Sequence, residues 1–397
     1  MTSRPVLRLR PKTDPRRLQR GFPWVYANEA VLDRRSRAIP PGTIAGLEDG
    51  ARRLLATIAI NPNSKIVGRI LDPDPEARID RAWLSRRVKD ALALRDALFD
   101  APYYRLIHAE ADGLPGTIVD RFGEVVVFQP NAAWIDTLSD DLAAILADLP
   151  GVTTVVKNAA GRARALEGLD DTSTVMVGQI DGPVPVPMNG ATYMADVLGG
   201  QKTGLFFDQR PNHAFVANLA KGTRVLDVFS HVGGFALAAL AAGASQARAI
   251  DGSAPALELA RQGAEKMGVS DRFETIKSDA FAGLETLGSD GAFFGTVICD
   301  PPAFAPSKSA LQSGLRAYEK VARLATPLVA PGGTLTLCSC SHAVDVDAFR
   351  TASLRGVARG GGKAQILRIG FAGPDHPMHP ALAESGYLKS ITLRLLP

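Results

Sequence analysis

The stretch from residue 224 to residue 235, RVLDVFSHVGGF, constrains the fold of this 397-residue chain more than any other. It opens with an apolar run, Val225–Val228, which is typical of a buried strand. Gly233 and Gly234 follow, and the alanine- and leucine-rich residues 235–242 then predict a helix. A strand that ends in a glycine turn and opens a helix begins a doubly wound nucleotide site. We therefore expect an α/β sheet with a ligand at this turn.

The chemistry of this turn limits the kind of ligand. The stretch lacks the full G-x-G-x-x-G pattern, which disfavours a dinucleotide. Asp227, at the end of the strand, would repel a pyrophosphate and would suit a ligand that carries an amine or sulfonium cation. Glycine allows close approach of the backbone, and the helix N-terminus offers free N–H groups. The pattern favours S-adenosylmethionine, and an ordinary strand-to-helix turn without a ligand is the alternative.

Acidic residues continue to close the strands that follow. Asp251 ends the second predicted strand, where a carboxylate can hydrogen-bond ribose hydroxyls. Asp279 comes just after the third strand and is placed to accept a hydrogen bond from an adenine amino group. Acids at strand ends are common on surfaces. Their repeat at three consecutive strands, beginning with Asp227, favours a ligand site.

The fourth and fifth strands carry residues with reactive or rigid chemistry. Asp300 ends the fourth strand and begins the sequence DPPAFAPSK, in which prolines stiffen the loop and Phe304 could stack on a flat base. The fifth strand ends in Cys338-Ser339-Cys340. Parallel strands end at the same edge of a sheet, so we expect this cysteine pair to face Asp300, with a thiol as a candidate nucleophile. A rigid structural turn and buried, inert cysteines are the alternatives, and for Cys299 we prefer the latter.

The N-terminal part of the chain is basic and mostly β in pattern. Residues 1–40 contain ten Lys or Arg and three Asp or Glu. The sequence RRLQRGFPW places arginines, which can pair with phosphates, beside aromatic rings, which can stack on bases. The candidate RNA-contacting residues are Arg16, Arg17, Arg20 and Trp24. A basic surface that serves only solubility, with the aromatic side chains in the core, is the alternative.

The remaining sequence sets broad limits on the protein. Residues 79–190 predict a small α+β middle domain without evident chemistry. No apolar run has the length of a membrane span, and MTSRPVLRLRPK has no apolar signal core, so we expect a cytoplasmic protein with no membrane partner. Three cysteines in the last third argue against disulfides and a cysteine-rich zinc site, and we expect no metal.

Three long motifs connect the chain with a known family. GQKTGLFFDQR (residues 200–210), DPPAFAPSK (300–308) and FAGPDHPMHPALAESGYLK (371–389) resemble the PUA-domain class I methyltransferases that form 5-methylcytosine in large-subunit ribosomal RNA. The resemblance covers nearly the whole chain. It implies a PUA-like β-barrel at 1–78, the α+β domain at 79–190 and a Rossmann-like methyltransferase domain at 191–397. It also implies S-adenosylmethionine as methyl donor and 23S rRNA as partner.

The resemblance also assigns roles to individual residues. Cys340 stands at the position of the attacking cysteine. From the DPPAFAPSK loop itself we predict Asp300 as the second catalytic residue, which would hold or protonate the ring edge, and Phe304 as a substrate contact. Ser230-His231-Val232 and His342 depart from the family pattern, which affects details of the pocket. The predicted cofactor-binding residues are Gln201, Lys202, Thr203, Gly204, Phe206, Asp208, Asp227, Phe229, Gly233, Asp251, Asp279 and Asp300.

Three hypotheses about function follow. In the first, the Cys340 thiolate adds to C6 of cytosine, C5 becomes nucleophilic and takes the methyl group, and Cys338 or a water removes the C5 proton. In the second, the Asp300-Pro-Pro-Ala-Phe loop orients an exocyclic amine and no cysteine is needed. The third is an RNA-binding assembly factor with a vestigial cofactor site. The target nucleotide is not identified, and a homodimer is left open.

Overall fold

The computed structural model describes residues 4–200 and 203–397, which form two compact units. The predicted PUA-like domain and residues 79–182 of the predicted middle domain belong to one unit, whereas residues 183–196 belong to the other. The three-domain division stays a prediction. The first unit comprises the residues up to Gly182 with Val197–Gly204 and Pro377–Leu382, and the second comprises Pro183–Asp196, Leu205–His376 and Ala383–Pro397.

The first unit begins with the predicted β module. In the described part of the chain, five strands form its sheet in the order β1-β3-β4-β5-β2, in which only the β1–β3 pair is parallel. Residues 5–10 alternate apolar and charged side chains, which predicts a half-exposed strand. The structure agrees, because Leu7 and Leu9 are buried. The elements are β1 Val6–Arg8, α1 Arg16–Gln19, β2 Trp24–Tyr26, α2 Arg34–Arg37, β3 Thr43–Glu48, β4 Leu54–Ile60 and β5 Ile66–Asp72.

A second sheet completes the first unit, with the order β10-β9-β8-β7-β6 among the described residues. The sequence of residues 79–99 predicts an amphipathic helix with Trp83, Val88, Leu92 and Leu98 among its apolar positions. Helix α3 buries Trp83 and Val88, but the prediction for Leu98 is wrong, since Leu98 is 42% exposed. Arg95 is buried instead, where its guanidinium pairs with Asp112 at 2.7 Å. The elements are α3 Arg81–Leu98, β6 Tyr103–His108, β7 Thr117–Phe122, β8 Val125–Pro130, α4 Ala133–Asp136, α5 Ser139–Ala147, β9 Thr154–Lys157, α6 Arg162–Glu167 and β10 Thr174–Val177.

The described residues of the second unit form a seven-stranded sheet. Its strand order is β15-β14-β13-β16-β17-β19-β18. Strands β13 to β17 pair in parallel, and β19 is antiparallel to both of its neighbours. A separate hairpin, β11–β12, belongs to the same unit. The elements are β11 Val184–Met188, β12 Ala191–Ala195, α7 Arg210–Leu219, β13 Arg224–Val228, α8 Gly234–Ala241, β14 Gln246–Asp251, α9 Ala254–Lys266, β15 Phe273–Lys277, α10 Ala280–Ser289, β16 Phe294–Cys299, α11 Leu311–Ala325, β17 Val329–Ser339, α12 Val346–Arg359, β18 Ala364–Phe371 and β19 Lys389–Leu395.

The strand order determines where a ligand can bind. The chain leaves β13 toward β14 on one side and later places β16 on the other, so the order reverses between β13 and β16. In open α/β sheets, ligands occupy the crevice at the carboxyl ends of the strands at such a point. The prediction of a doubly wound, Rossmann-like domain is confirmed. Within the described residues, no helix has the length and apolar character needed to cross a bilayer.

Candidate active site

The turn after β13 has an unusual backbone. Phe229 and His231 adopt the left-handed conformation, with φ of 62° and 50°, although neither is glycine. Gly233, with φ of 81°, is required at its position, because a Cβ there would lie 3.2 Å from Leu237 and 3.3 Å from Ala260. The amide of His231 donates to Asp251 Oδ2 at 2.8 Å, which fixes the turn. Backbone strain of this kind concentrates at ligand and active sites.

Asp227 lies beneath this turn and is completely buried. Its Oδ2 accepts the amide N–H of Ala236 at 2.9 Å, at the start of helix α8. Burial raises the pKa of this carboxyl to about 7, although the backbone amides at the helix start act in the opposite direction. Asp227 therefore holds the turn against the helix, and the prediction that it meets a ligand cation stays a prediction.

We expect Asp227→Asn to change how stability depends on pH. In the unfolded chain the carboxyl releases its proton near pH 3.8, whereas in the folded protein it holds the proton to about pH 7. Between these pH values the folded state binds more protons than the unfolded state. The contribution of this carboxyl to the unfolding free energy is therefore greatest below pH 4 and is lost as the pH rises through 7. Asparagine is neutral and can still accept the Ala236 amide.

Urea unfolding of the wild type and Asp227→Asn between pH 4 and pH 8 measures this effect. The unfolding free energy of the wild type should fall relative to the variant by up to about 4 kcal/mol across this range. The other titrating groups are shared by both proteins and cancel in the difference. Parallel pH profiles for the two proteins would contradict the assignment.

Two further acids stabilise the same edge of the sheet. Asp251 receives two backbone amides, one on each carboxylate oxygen, from His231 and Ser253 at 2.8 Å. Asp279 caps helix α10, where its Oδ1 accepts the amides of Phe281 and Ala282 at 3.0 and 3.1 Å. Both carboxylates thus order backbone at the strand ends. Their predicted contacts with ribose and adenine stay predictions.

Three phenylalanine rings lie together at this edge. The ring centroids of Phe229 and Phe281 are 6.4 Å apart, and Phe304 lies 6.2 Å from each of them. The rings of Phe281 and Phe304 are nearly parallel, at 29°. Phe304 also packs against Tyr318 at 5.0 Å. Phe281 was not among the residues that the sequence indicated, although it follows Asp279 closely.

Asp300 is held by a chain of amides from helix α7. The Nε2 of Gln209 donates to Asp300 Oδ2 at 2.9 Å, and Asn212 donates to Gln209 Oε1 at 2.7 Å. Gln209 is only 3% exposed, so this contact orients the carboxylate from inside the unit. No local sequence signal singles out Gln209, although it belongs to the motif GQKTGLFFDQR. The amide chain leaves Asp300 in a defined orientation at the end of β16.

Cys340 follows β17 directly, beside the loop that Asp300 begins. Its Sγ lies 4.0 Å from the carbonyl oxygen of Pro301, so the expected approach of the fifth strand end to this loop is present. Cys340 is half-buried, whereas Cys299 and Cys338 are buried. Burial raises the pKa of both Cys299 and Cys338 above the ordinary thiol value. Cys340 is thus the cysteine with an accessible thiol.

A buried hydroxyl cluster fixes the residues on both sides of Cys340. The Ser339 hydroxyl donates to the Tyr318 hydroxyl at 2.9 Å, and Tyr318 shares a 2.8 Å hydrogen bond with Ser341. Ser341 Oγ also accepts the amide of Ala305 at 3.0 Å. The cluster therefore ties the Cys340 segment to the proline loop. Tyr318 lies on helix α11, and no local sequence signal indicated it.

The predicted cofactor loop is divided between the units. Gln201 and Lys202 lie outside the described residues. Thr203 and Gly204 belong to the first unit, where Thr203 donates to the buried Asp120 at 2.6 Å. Phe206 and Asp208 belong to the second unit: Phe206 packs on His231 at 5.0 Å, and Asp208 accepts the Tyr387 hydroxyl at 2.6 Å. Within the second unit, Phe206 therefore lies at the glycine turn.

The predicted RNA-contacting residues differ in their surroundings. Arg16 and Arg20 are exposed. Arg17 forms an ion pair with Glu29 at 2.5 Å, and its guanidinium lies 4.1 Å from the centroid of the Phe22 ring. The Trp24 indole donates to Glu110 at 2.8 Å. Arg17 and Trp24 thus have partners within the first unit.

The second unit has the features that S-adenosylmethionine requires. The glycine turn provides close backbone approach, and the phenylalanine rings provide a flat apolar surface for an adenine. The Ser230 hydroxyl is buried in the turn and has no hydrogen-bond partner among residues 4–200 and 203–397. An unpaired buried hydroxyl is uncommon without a ligand or water. The residues therefore fit the cofactor, and no group of His, Cys, Asp and Glu in the described chain could hold a metal ion.

Comparisons with known proteins agree with this geometry. A family model described as S-adenosylmethionine-dependent methyltransferase matches residues 139–361, and a PUA-like domain model matches residues 7–73. Ribosomal RNA large subunit methyltransferase from Deinococcus radiodurans is 36% identical over 408 residues, which cover 99% of this chain and 98% of that protein. Ribosomal RNA large subunit methyltransferase I from Escherichia coli O139:H28 is 33% identical, and the match covers 96% of each chain.

Solved structures have the same fold. A structure from Streptococcus mutans described as a SAM-dependent methyltransferase has a TM-score of 0.81 at 19% identity and covers 98% of this chain and 100% of its own. A methyltransferase complexed with SAH has the same TM-score and covers 98% of this chain and 99% of its own. The prediction of S-adenosylmethionine as cofactor is confirmed by the matched family. The chain therefore belongs to the S-adenosylmethionine-dependent ribosomal RNA large subunit methyltransferase family.

Proposed function

We propose that the protein methylates C5 of a cytosine in 23S ribosomal RNA, with Cys340 as the nucleophile. The observation that carries this proposal is the position of Cys340. It is the accessible thiol of the chain, and it lies against Pro301 at the strand edge where the glycine turn and Asp300 also lie. Exocyclic-amine methylation needs no cysteine at this place, whereas C5 methylation needs a thiolate beside the ring.

The chemistry assigned to the chain starts at C6 of the cytosine. The Cys340 thiolate forms a bond to C6, and the electrons of the C5–C6 double bond make C5 nucleophilic. S-adenosylmethionine, when bound, supplies the electrophilic methyl group that C5 takes. Loss of the C5 proton to a base then restores the double bond and expels the Cys340 thiolate. We assign the base to a water rather than to Cys338. Burial raises the pKa of the Cys338 thiol, so Cys338 stays protonated and cannot accept the C5 proton.

The role proposed for Asp300 follows from its orientation. Gln209 fixes the carboxylate at 2.9 Å, and the residues that follow, Pro301 and Pro302, lack amide hydrogens that could compete for it. A carboxylate held in this way can accept a hydrogen bond from the polar edge of the cytosine ring, and in its protonated form the same group can protonate the ring during addition. We assign Phe304 to the flat face of the base, as part of the cluster with Phe229 and Phe281. The base must leave any duplex to reach this site.

RNA binding is assigned to the first unit. Its PUA-like sheet carries the basic N-terminal segment, with Arg16 and Arg20 exposed. Exposed arginines neutralise phosphates and make binding sensitive to salt. Arg17 and Trp24 are better assigned to supporting the Phe22 and Glu110 side chains, since each already has a partner. Mapping the methylated position in the rRNA will identify the target nucleotide.

Product analysis tests the proposal. Wild-type protein is incubated with tritiated S-adenosylmethionine and unmodified large-subunit rRNA, and the nucleosides are then separated. We expect the label in 5-methylcytidine. Label on an exocyclic nitrogen would favour the second hypothesis, with Asp300 orienting an amine. Absence of both transfer and cofactor binding in calorimetry would favour the assembly factor.

A further inference from the structure

A buried lysine lies next to the segment that carries Cys340. Lys389 is the first residue of β19 and pairs with Ser339, which directly precedes Cys340. The lysine is only 2% exposed. Burial lowers its pKa to about 8, while Cys340 and Asp345 act to keep it charged. A cation in such a place requires an explanation, because lysine is almost never completely buried unless it is paired.

The ammonium group of Lys389 is held entirely by carbonyl oxygens. Its Nζ donates to Ser341 at 2.7 Å, to Val344 at 2.6 Å and to Tyr387 at 2.9 Å. Two of these carbonyls belong to the loop immediately after Cys340. Within the part of the chain that the structure describes, no carboxylate forms an ion pair with this group. The three hydrogen bonds use all three donors of the ammonium and fix its position.

This arrangement leaves the positive charge without a full counterion. Burying an ammonium costs several kcal/mol unless an anion or a set of dipoles compensates it. Three carbonyl dipoles compensate part of the charge. An anion on Cys340 would compensate more, and the same attraction would favour the thiolate over the thiol, since two opposite charges stabilise each other.

We propose that Lys389 is a positioning residue for Cys340, which fixes the loop after the cysteine and stabilises its thiolate. This inference rests on the proposed function, in which Cys340 must be a thiolate to attack C6. Lys389 does not touch the reacting atoms and acts through Cys340. The last strand of the sheet thereby contributes to the chemistry at the end of β17.

The other charged or titratable groups around Cys340 do not provide this stabilisation. Asp300 at the end of β16 and Asp345 at the start of α12 are acids, and each disfavours a second negative charge nearby. Tyr318 on α11 shares hydrogen bonds with the serines beside Cys340. His342 is exposed. Lys389 is the buried cation of this set.

The rate of alkylation by iodoacetamide, measured against pH in the full-length protein, tests the proposal. Thiolates react and thiols do not, and the burial of Cys299 and Cys338 makes the rate report on Cys340. Cys340→Ala gives the background rate. We expect Lys389→Met to slow alkylation at neutral pH about tenfold and to move the pH profile upward by about one unit. Lys389→Arg, which keeps the charge, should restore most of the rate.

A second measurement keeps the test decisive if Lys389→Met fails to fold: the midpoint of the wild-type alkylation profile should lie below the ordinary thiol pKa of about 8.5. A variant of Asp345 adds an independent check on the charges around Cys340. Asp345 caps helix α12 by accepting the amide of Ala348, and asparagine caps a helix equally well. Asp345→Asn removes a negative charge near Lys389 and Cys340, which relieves repulsion of the Cys340 thiolate. Alkylation should therefore become about twofold faster, and the effect is small because Asp345 is exposed.

Two results would overturn the inference. One is an unchanged alkylation profile in a Lys389→Met protein that still binds the cofactor in calorimetry, and the other is a wild-type alkylation midpoint at or above the ordinary thiol value of about 8.5. Alkylation requires neither RNA nor methyl transfer, so these results concern Lys389 alone. Methyl transfer by Cys340→Ala would instead refute the proposed function, whatever the alkylation rates show.

Discussion

Replacement of Cys340 by alanine is expected to abolish methyl transfer while cofactor binding persists. The thiol is the group assigned to activate C5, and without the bond from sulfur to C6 the ring carbon is a poor nucleophile. Removing a covalent nucleophile commonly lowers turnover by a factor of about 10⁴ or more. The measurement is incorporation of tritium into 5-methylcytidine, with cofactor affinity determined separately by calorimetry.

Cys338→Ala is the matched control for this prediction. Cys338 lies two residues earlier in the chain, but it is buried, so its loss should change stability more than transfer. Deleting part of a buried side chain costs about 1 kcal/mol or more of unfolding free energy, without removing the nucleophile. Turnover that persists in Cys340→Ala but disappears in Cys338→Ala would mean that the nucleophile has been assigned to the wrong cysteine.

The second large effect is expected for Asp300→Asn. Asparagine has nearly the same shape and can still accept the hydrogen bond from Gln209, but it can neither carry a negative charge nor donate a carboxylic proton. Loss of general acid–base chemistry typically lowers the rate about 10²- to 10⁴-fold. We expect the fall in kcat, with smaller changes in KM for RNA, as measured by steady-state transfer assays.

Gln209→Leu separates orientation from chemistry at this residue. The variant keeps the carboxylate and removes the amide that holds it at 2.9 Å. We expect a smaller loss of kcat than in Asp300→Asn, about tenfold, because the group is present but less well placed. Equal activity of Asp300→Asn and the wild type would exclude Asp300 from proton transfer and leave it a structural role.

Much of the second unit could be predicted from local sequence. The apolar run before Gly233, the alanine-rich helix after it and the acids at strand ends identify a doubly wound sheet and its ligand edge. The rule that parallel strands end at the same edge also predicts that Asp300 and the Cys340 segment lie close together. These inferences succeed because strand pattern and turn chemistry are local properties.

Residues that depend on distant partners were not predictable in the same way. Asp227 lies where the sequence predicts a ligand-binding residue, and only the fold shows that it is also buried and accepts the Ala236 amide. Gln209, Tyr318 and Lys389 come from separate elements and meet the site only through tertiary packing. The burial of Arg95 is not predictable from sequence either, because its partner Asp112 is brought to it only by the fold.

The position of β19 in the sheet has a consequence for biosynthesis. It inserts between β17 and β18, both of which leave the ribosome earlier. Until residues 389–395 emerge, β17 and β18 each have an unpaired edge, and such edges pair readily with other chains. The sheet is therefore complete, with Lys389 in place, only after residues 389–395 have been synthesised. Chaperone binding to the nascent chain should accordingly be strongest while β17 and β18 have emerged and residues 389–395 have not.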